Sequence, residues 1–158
     1  MITSPTVLIL GAGASIPYGF PSGFDLVRMM VQSLRLGNNG NIHLQAAGFR
    51  SGDIEDFRNS LERSGRSSVD AFLEHRTEFL EVGKAAIAAL LLPCEKEESL
   101  FDLNRDSRWY EYLFQKLNAG FEDFANNRIA FITFNYDRSL EFYLFTALKH
   151  AYGNPMRR

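Results

Sequence analysis

Val7-Leu8-Ile9-Leu10 runs into Gly11-Ala12-Gly13-Ala14-Ser15, and Ile129-Ala130-Phe131-Ile132-Thr133-Phe134 runs into Asn135-Tyr136-Asp137. Each is an apolar β-type run that stops at small or polar residues and gives way to a helical pattern. An open parallel α/β sheet places its ligand-binding residues at such strand ends. Side by side, the two ends would make one nucleotide site. The second run is expected to be buried on both faces, so that the sheet holds Asn135 and Asp137 rigidly at its carboxyl edge.

Working outward from the first run, Gly11 and Gly13 let the backbone turn sharply and approach an anion closely. Ala12, Ala14 and Ser15 are small enough to leave room, and free N–H groups there would cradle a phosphate. The motif departs from the dinucleotide fingerprint, because Ile16 sits where the third glycine belongs. Asp25 also lies too close to be the ribose-binding carboxylate expected about 20 residues further on. An ordinary nicotinamide dehydrogenase is therefore disfavoured, and a tight turn without ligand is the plainer alternative. Asn135 and Asp137 likewise have two readings. Either could cap a helix beginning near Arg138, and Asp137 could do so while Asn135 takes part in chemistry.

Three segments together carry a family resemblance: Gly11-Ala12-Gly13-Ala14-Ser15-Ile16-Pro17 with Gly19-Phe20-Pro21-Ser22-Gly23; Ser68-Val69-Asp70-Ala71-Phe72-Leu73-Glu74; and Thr133-Phe134-Asn135-Tyr136-Asp137-Arg138-Ser139-Leu140-Glu141. In this order they resemble the sirtuin-like NAD-hydrolase domain of bacterial antiphage defence proteins, over nearly the whole chain. The resemblance implies a three-layer sirtuin-like Rossmann variant with a parallel sheet, and a single NAD-binding domain over 1–158. It implies that Gly11, Ala12, Gly13, Ala14 and Ser15 hold the diphosphate, with Pro21 beside the cofactor. Asn135 and Asp137 would then face ribose and nicotinamide and perform the chemistry. Family members carry a further strand with a His-Gly pair whose His acts as a base. None follows Asp137 here, and the chain is expected to be an amino-terminal or truncated form. His150, the nearest histidine, falls at a helix end, where it suits the terminal carbonyls.

The implied reaction is hydrolysis of NAD to nicotinamide and ADP-ribose, in antiviral defence. The bond from nicotinamide to ribose already has a cationic leaving group, so its cleavage needs stabilised charge and a placed water more than a strong nucleophile. Asn135 would orient the water and the ribose hydroxyls, and Asp137 would hold the carboxamide or offset positive charge. The alternatives are a non-catalytic module that senses NAD or ADP-ribose, and an assembly surface that binds no nucleotide. Cys94 is the sole cysteine, which excludes an intrachain disulfide and the four-cysteine zinc module by which peptide-deacetylating sirtuins resemble one another. No metal is expected.

Composition fits an intracellular globular domain: 158 residues, 46% hydrophobic, enough for a sizeable core. A net charge of -2 without a long basic stripe implies no direct nucleic-acid ligand, and Arg157-Arg158 is too short to count. No signal peptide and no run of about 18 apolar residues is legible, Ala85 to Leu92 being far short, so a cytoplasmic protein without a membrane partner is expected.

The rest reads as helices. Leu26, Met29, Met30 and Leu34 recur at helical spacing after Ser22, and Ile54, Phe57 and Leu61 do so after a cap at Asp53. Asn38-Asn39-Gly40-Asn41 reads as a surface turn between them, and His43 as a loop residue without a role. One long helix is predicted from about Ser68 to Leu92, started by Ser67 with Asp70 and stopped by Pro93. Asp70, Glu74 and His75 form its solvated face. Trp109, Tyr112, Leu113, Leu117, Phe121 and Phe124 mark another helix, and Leu140, Leu144 and Leu148 the last. The aromatic residues are assigned to the core, except Tyr18 and Phe20, which either close over the nicotinamide ribose or pack inward. Two strands alone make a marginal sheet with open edges. Further chain, a partner domain or self-association is expected to cover it.

Overall fold

A computed structural model of the chain describes residues 1–153. The first elements are β1 (Thr6–Leu10), α1 (Gly23–Ser33), α2 (Asn39–Ala46), α3 (Ser51–Arg63), α4 (Val69–Leu73) and α5 (Leu80–Leu91). They are followed by α6 (Glu97–Leu100), α7 (Trp109–Lys116), β2 (Ile129–Thr133) and α8 (Ser139–Tyr152). The chain is thus a helix-rich α/β protein with a two-stranded parallel sheet and a long helical insertion between the strands. It forms two compact units: Met1–Gly19 with the chain from Lys96 onward, and Phe20–Glu95.

In the first unit, β1 and β2 pair from Thr6↔Ile129 to Leu10↔Thr133. Phe134 N–H donates to Leu10 O at 3.0 Å, so the two strand ends leave the sheet together. The entry to β2 is fixed by one amide. Asn127 Oδ1 accepts from Ile2 N–H at 2.7 Å, and its Nδ2 donates to Leu117 O and Phe124 O. Such bonds satisfy backbone groups that a loop would otherwise leave unpaired.

The expectation that β2 is buried on both faces fails. Ala130, Phe131, Ile132 and Thr133 are exposed, and on the face shared by Val7, Ile9 and Ile132, Ile9 keeps 69% of its surface. On the opposite face, Leu10 and Phe131 line a cavity with Tyr110 of α7 and Leu140 and Leu144 of α8. Helix α7 is also shorter than its predicted stripe. It buries Tyr110 and Leu113, leaves Tyr112 exposed, and ends before Phe121 and Phe124.

The second unit packs α1 to α5 around Met30, Leu34, Leu44, Ile54, Phe57 and Phe72. Helix α1 starts as read, with Ser22 Oγ accepting from Asp25 N–H. Asp53 is not the cap of α3. The helix begins at Ser51, and Asp53 lies in its first turn, ion-paired back to Arg50. The predicted surface turn at Asn38–Asn41 is instead the start of α2, with Gly40 and Asn41 buried. Asn41 Nδ2 donates to Leu34 O, a carbonyl at the end of α1, so a residue that reads as turn chemistry serves as a helix-end partner. His43 consequently lies on a helix.

The predicted long helix over 68–92 is broken into α4, a 3-10 turn at Thr77–Phe79, and α5. Ser68, rather than Ser67, is the cap, accepting from Ala71 N–H. In a continuous helix Phe72 and Phe79 would stand two turns apart, about 10.5 Å along the axis. The break brings their rings to 6.0 Å and lets both meet Phe57, at 5.9 and 5.7 Å.

Gly40 supplies a direct test of this unit. A Cβ there would lie 2.4 Å from Ser33 Oγ and 3.0 Å from the Ser33 carbonyl oxygen, which cannot swing away as a hydroxyl can. Gly40→Ala gains about 1 kcal/mol of helix propensity against an overpacking cost of about 1–3 kcal/mol. Urea denaturation is expected to show a net loss of stability, and a gain would contradict this contact.

Candidate functional site

The two strand ends converge in the first unit. Gly11 follows β1 in extended backbone, and Ala12–Ala14 form a 3-10 turn in which Ala14 N–H returns to Gly11 O and Ser15 N–H to Ala12 O. The N–H groups of Gly11, Ala12 and Gly13 have no hydrogen-bond partner among the described residues. Neither Gly11 nor Gly13 has positive φ, and a Cβ on either would meet nothing within 4 Å. Their lack of a side chain therefore answers no need within the described chain; it leaves the backbone open on its outer side.

Asn135 reaches this turn. Its Nδ2 donates to Ser15 Oγ at 3.1 Å, and its own N–H donates to Thr133 Oγ1. Asn135 Oδ1 is buried and has no partner among the described residues. A buried acceptor left unpaired costs about 1–3 kcal/mol, so this oxygen is poised for a donor. Asp137 starts α8: its Oδ1 accepts from Ser139 N–H at 3.1 Å and from the Ser139 hydroxyl. Neither residue is the cap of α8, which is Arg138; Asp137, one position earlier, holds Ser139 at the helix start, while Asn135 faces the glycine turn.

A cavity of about 140 Å³ lies between them, lined by Ser15, Tyr110, Asn135 and Asp137 with Leu10 and Leu140. At roughly 30 Å³ per water it holds about five waters or one aromatic ring, well below the ~300 Å³ and more of a whole-ligand pocket. It would take one end of a dinucleotide, leaving the rest to the open turn. Pro21 belongs to the second unit, half-buried beside the Ser22 cap.

Tyr110 is the residue that sequence reasoning missed. It is buried, and it lines the cavity together with Ser15. Its N–H, an orphan at the start of α7, donates to Tyr18 Oη at 2.9 Å, and the two rings stack at 3.9 Å. Tyr18 therefore packs inward and is not a lid, while Phe20 is buried in the second unit. Trp109 Nε1 donates to Ala14 O at 2.8 Å, so α7 also holds the glycine turn. Only the adjacency of Trp109 and Tyr110 in an aromatic-rich helix hinted at this.

Burial pushes the Tyr110 and Tyr143 phenols up to about 12, and the Asp137 carboxylate adds to the effect at Tyr110. Burial raises Tyr18 as well. Their neutral forms are favoured by the fold, so their contribution to stability is complete below about pH 10 and lost as pH climbs toward 12. Melting temperature is expected to fall over that window, with tyrosinate absorbance rising together with unfolding. Free titration of all six tyrosines near pH 10 in the folded chain would refute it.

No group of His, Cys, Asp and Glu among the described residues could hold a metal ion, and no described helix is long and apolar enough to cross a membrane. His150 lies exposed in the last turn of α8, and Cys94 is half-buried after Pro93. Arg157-Arg158 lie outside the described residues. No family model, curated protein or solved structure matches the chain.

Proposed function

We propose that the first unit binds NAD and hydrolyses it to nicotinamide and ADP-ribose, water adding across the nicotinamide–ribose bond with release of a proton. The observation that carries this reading is the buried Asn135 Oδ1, without a partner among the described residues, beside Ser15 at a ring-sized cavity that Leu10 and Ser15, on either side of the glycine turn, help to line. Gly11, Ala12 and Gly13 offer N–H groups, and Ala14 and Ser15 the small side chains, that would hold the diphosphate. Asn135 orients the attacking water through Oδ1 while Ser15 fixes its amide. Asp137 keeps Oδ2 without a partner among the described residues, so its carboxylate can offset developing positive charge while Oδ1 holds Ser139. Tyr110, protonated throughout the neutral range, offers an O–H donor at the cavity wall.

The three-layer sirtuin-like arrangement and the role in antiviral defence belong to the same proposal and rest on the sequence resemblance. The exposed sheet face at Val7, Ile9 and Ile132 supports the expectation of a covering segment, partner or second copy. Light scattering of the purified chain separates self-association from the other two.

One observation favours the non-catalytic reading: among the described residues no histidine lines the cavity, where the family pattern would place a base. The deciding experiment pairs nicotinamide release with calorimetric NAD binding. Release that depends on Asn135 supports hydrolysis; binding without release makes the unit a sensor; neither binding nor release refutes both.

A further inference from the structure

The second unit contains a solvent-open cavity of about 460 Å³ at the carboxyl end of α3. Arg63, Arg66, Arg76 and His75 line it with Asn59 and Ser60, and among the described residues no carboxylate does. This is an unusual concentration in a chain of net charge -2. Arg76 is held in place by Glu78 at 2.6 Å and by the Phe79 ring, whose centroid lies 4.8 Å from its guanidinium carbon. Arg63 and Arg66 have no carboxylate partner among the described residues. The dipole of α3 accounts for a cation in its last turn, Arg63. It does not account for the return of Arg66 past Gly65, at φ 66°, to the same cavity, nor for the approach of His75 and Arg76 from beyond α4.

Arg76 has its counter-charge in Glu78, but Arg63 and Arg66 bring like charges together with none among the described residues, and that pair is satisfied by an anion. Guanidinium groups suit phosphate oxygens because they donate in a planar fork, and Asn59 and Ser60 add neutral donors. The volume is that of a small-ligand pocket rather than a single ion. We propose that this cavity is a binding site for a nucleoside phosphate, with Arg63 and Arg66 on the phosphates and the planar Arg76 guanidinium available to stack on the base. It stands independently of NAD hydrolysis in the first unit.

The test is a titration of the isotope-labelled whole chain with ADP and with inorganic pyrophosphate, followed residue by residue by NMR. ADP is expected to shift the Asn59 side-chain amide and the His75 ring, and to bind more tightly than pyrophosphate. Arg63→Gln with Arg66→Gln should weaken these shifts about tenfold or more, as loss of charge-assisted hydrogen bonds requires. Both side chains are on the exposed surface, and unchanged thermal melting checks that the variant folds. His75→Gln, with an expected smaller loss, gives a second reading. Asn135→Ala should leave the shifts at Asn59 and His75 unchanged, which separates this site from the first unit. Absence of shifts there at millimolar ADP, or shifts indifferent to the arginine changes, would overturn the proposal. So would preferential binding of single-stranded DNA or an acidic peptide over ADP.

Discussion

Asn135→Ala is expected to lower nicotinamide release from NAD by about 10²–10³-fold, the usual effect of removing one preorganised polar group from a site where charge develops. The change deletes the acceptor that would orient water and the amide that anchors on Ser15 Oγ. Stability should move little. One hydrogen bond is worth about 1 kcal/mol, and the same substitution removes a buried oxygen with no partner among the described residues, which offsets part of that loss. Asn135→Asp should also be poorly active, since a carboxylate cannot donate to Ser15 in place of Nδ2. Undiminished release in Asn135→Ala, measured beside its melting curve, would remove this residue from the mechanism.

Tyr110→Ala should destabilise the first unit by about 3–5 kcal/mol, as loss of a large buried aromatic does. The ring stacks on Tyr18, meets Trp109 edge-on at 4.5 Å and contacts Tyr143 at 5.3 Å, so its removal empties the centre of one aromatic cluster. Domains of this size are stable by only about 5–15 kcal/mol, and the variant should unfold at much lower urea. Tyr110→Phe keeps those contacts and loses only the hydroxyl at the cavity wall, at about 1 kcal/mol. Its stability should also depend less on pH between 10 and 12. Equal losses for the Phe and Ala variants would mean that hydrogen bonding, not packing, governs this position.

The comparison of these two residues explains how far the site could be read from sequence. Asn135 announces itself because a polar residue interrupts an apolar strand, a local signal. Tyr110 does not, because helical spacing assigns any aromatic to a core and says nothing about which polar groups share that core. Its partner Tyr18 and its cavity neighbour Ser15 lie more than ninety positions away. Asn41 shows the converse: Asn38-Asn39-Gly40-Asn41 carries every local mark of a turn, yet Asn41 is buried because the end of α1 presents it with the Leu34 carbonyl.

Sequence by itself determined the two strands, their parallel α/β order and the polar residues that end them, because strand length, glycine placement and apolar periodicity are properties of neighbouring residues. Tertiary structure alone decided where the 68–92 helix breaks, that β2 lies exposed on both faces, and that Tyr110 and Trp109 brace the glycine turn. Those outcomes depend on burial and hydrogen-bond partners supplied by distant segments. A break in a helix is worth its lost hydrogen bonds only where, as at Phe57, Phe72 and Phe79, it lets aromatic rings meet that a straight helix would hold apart.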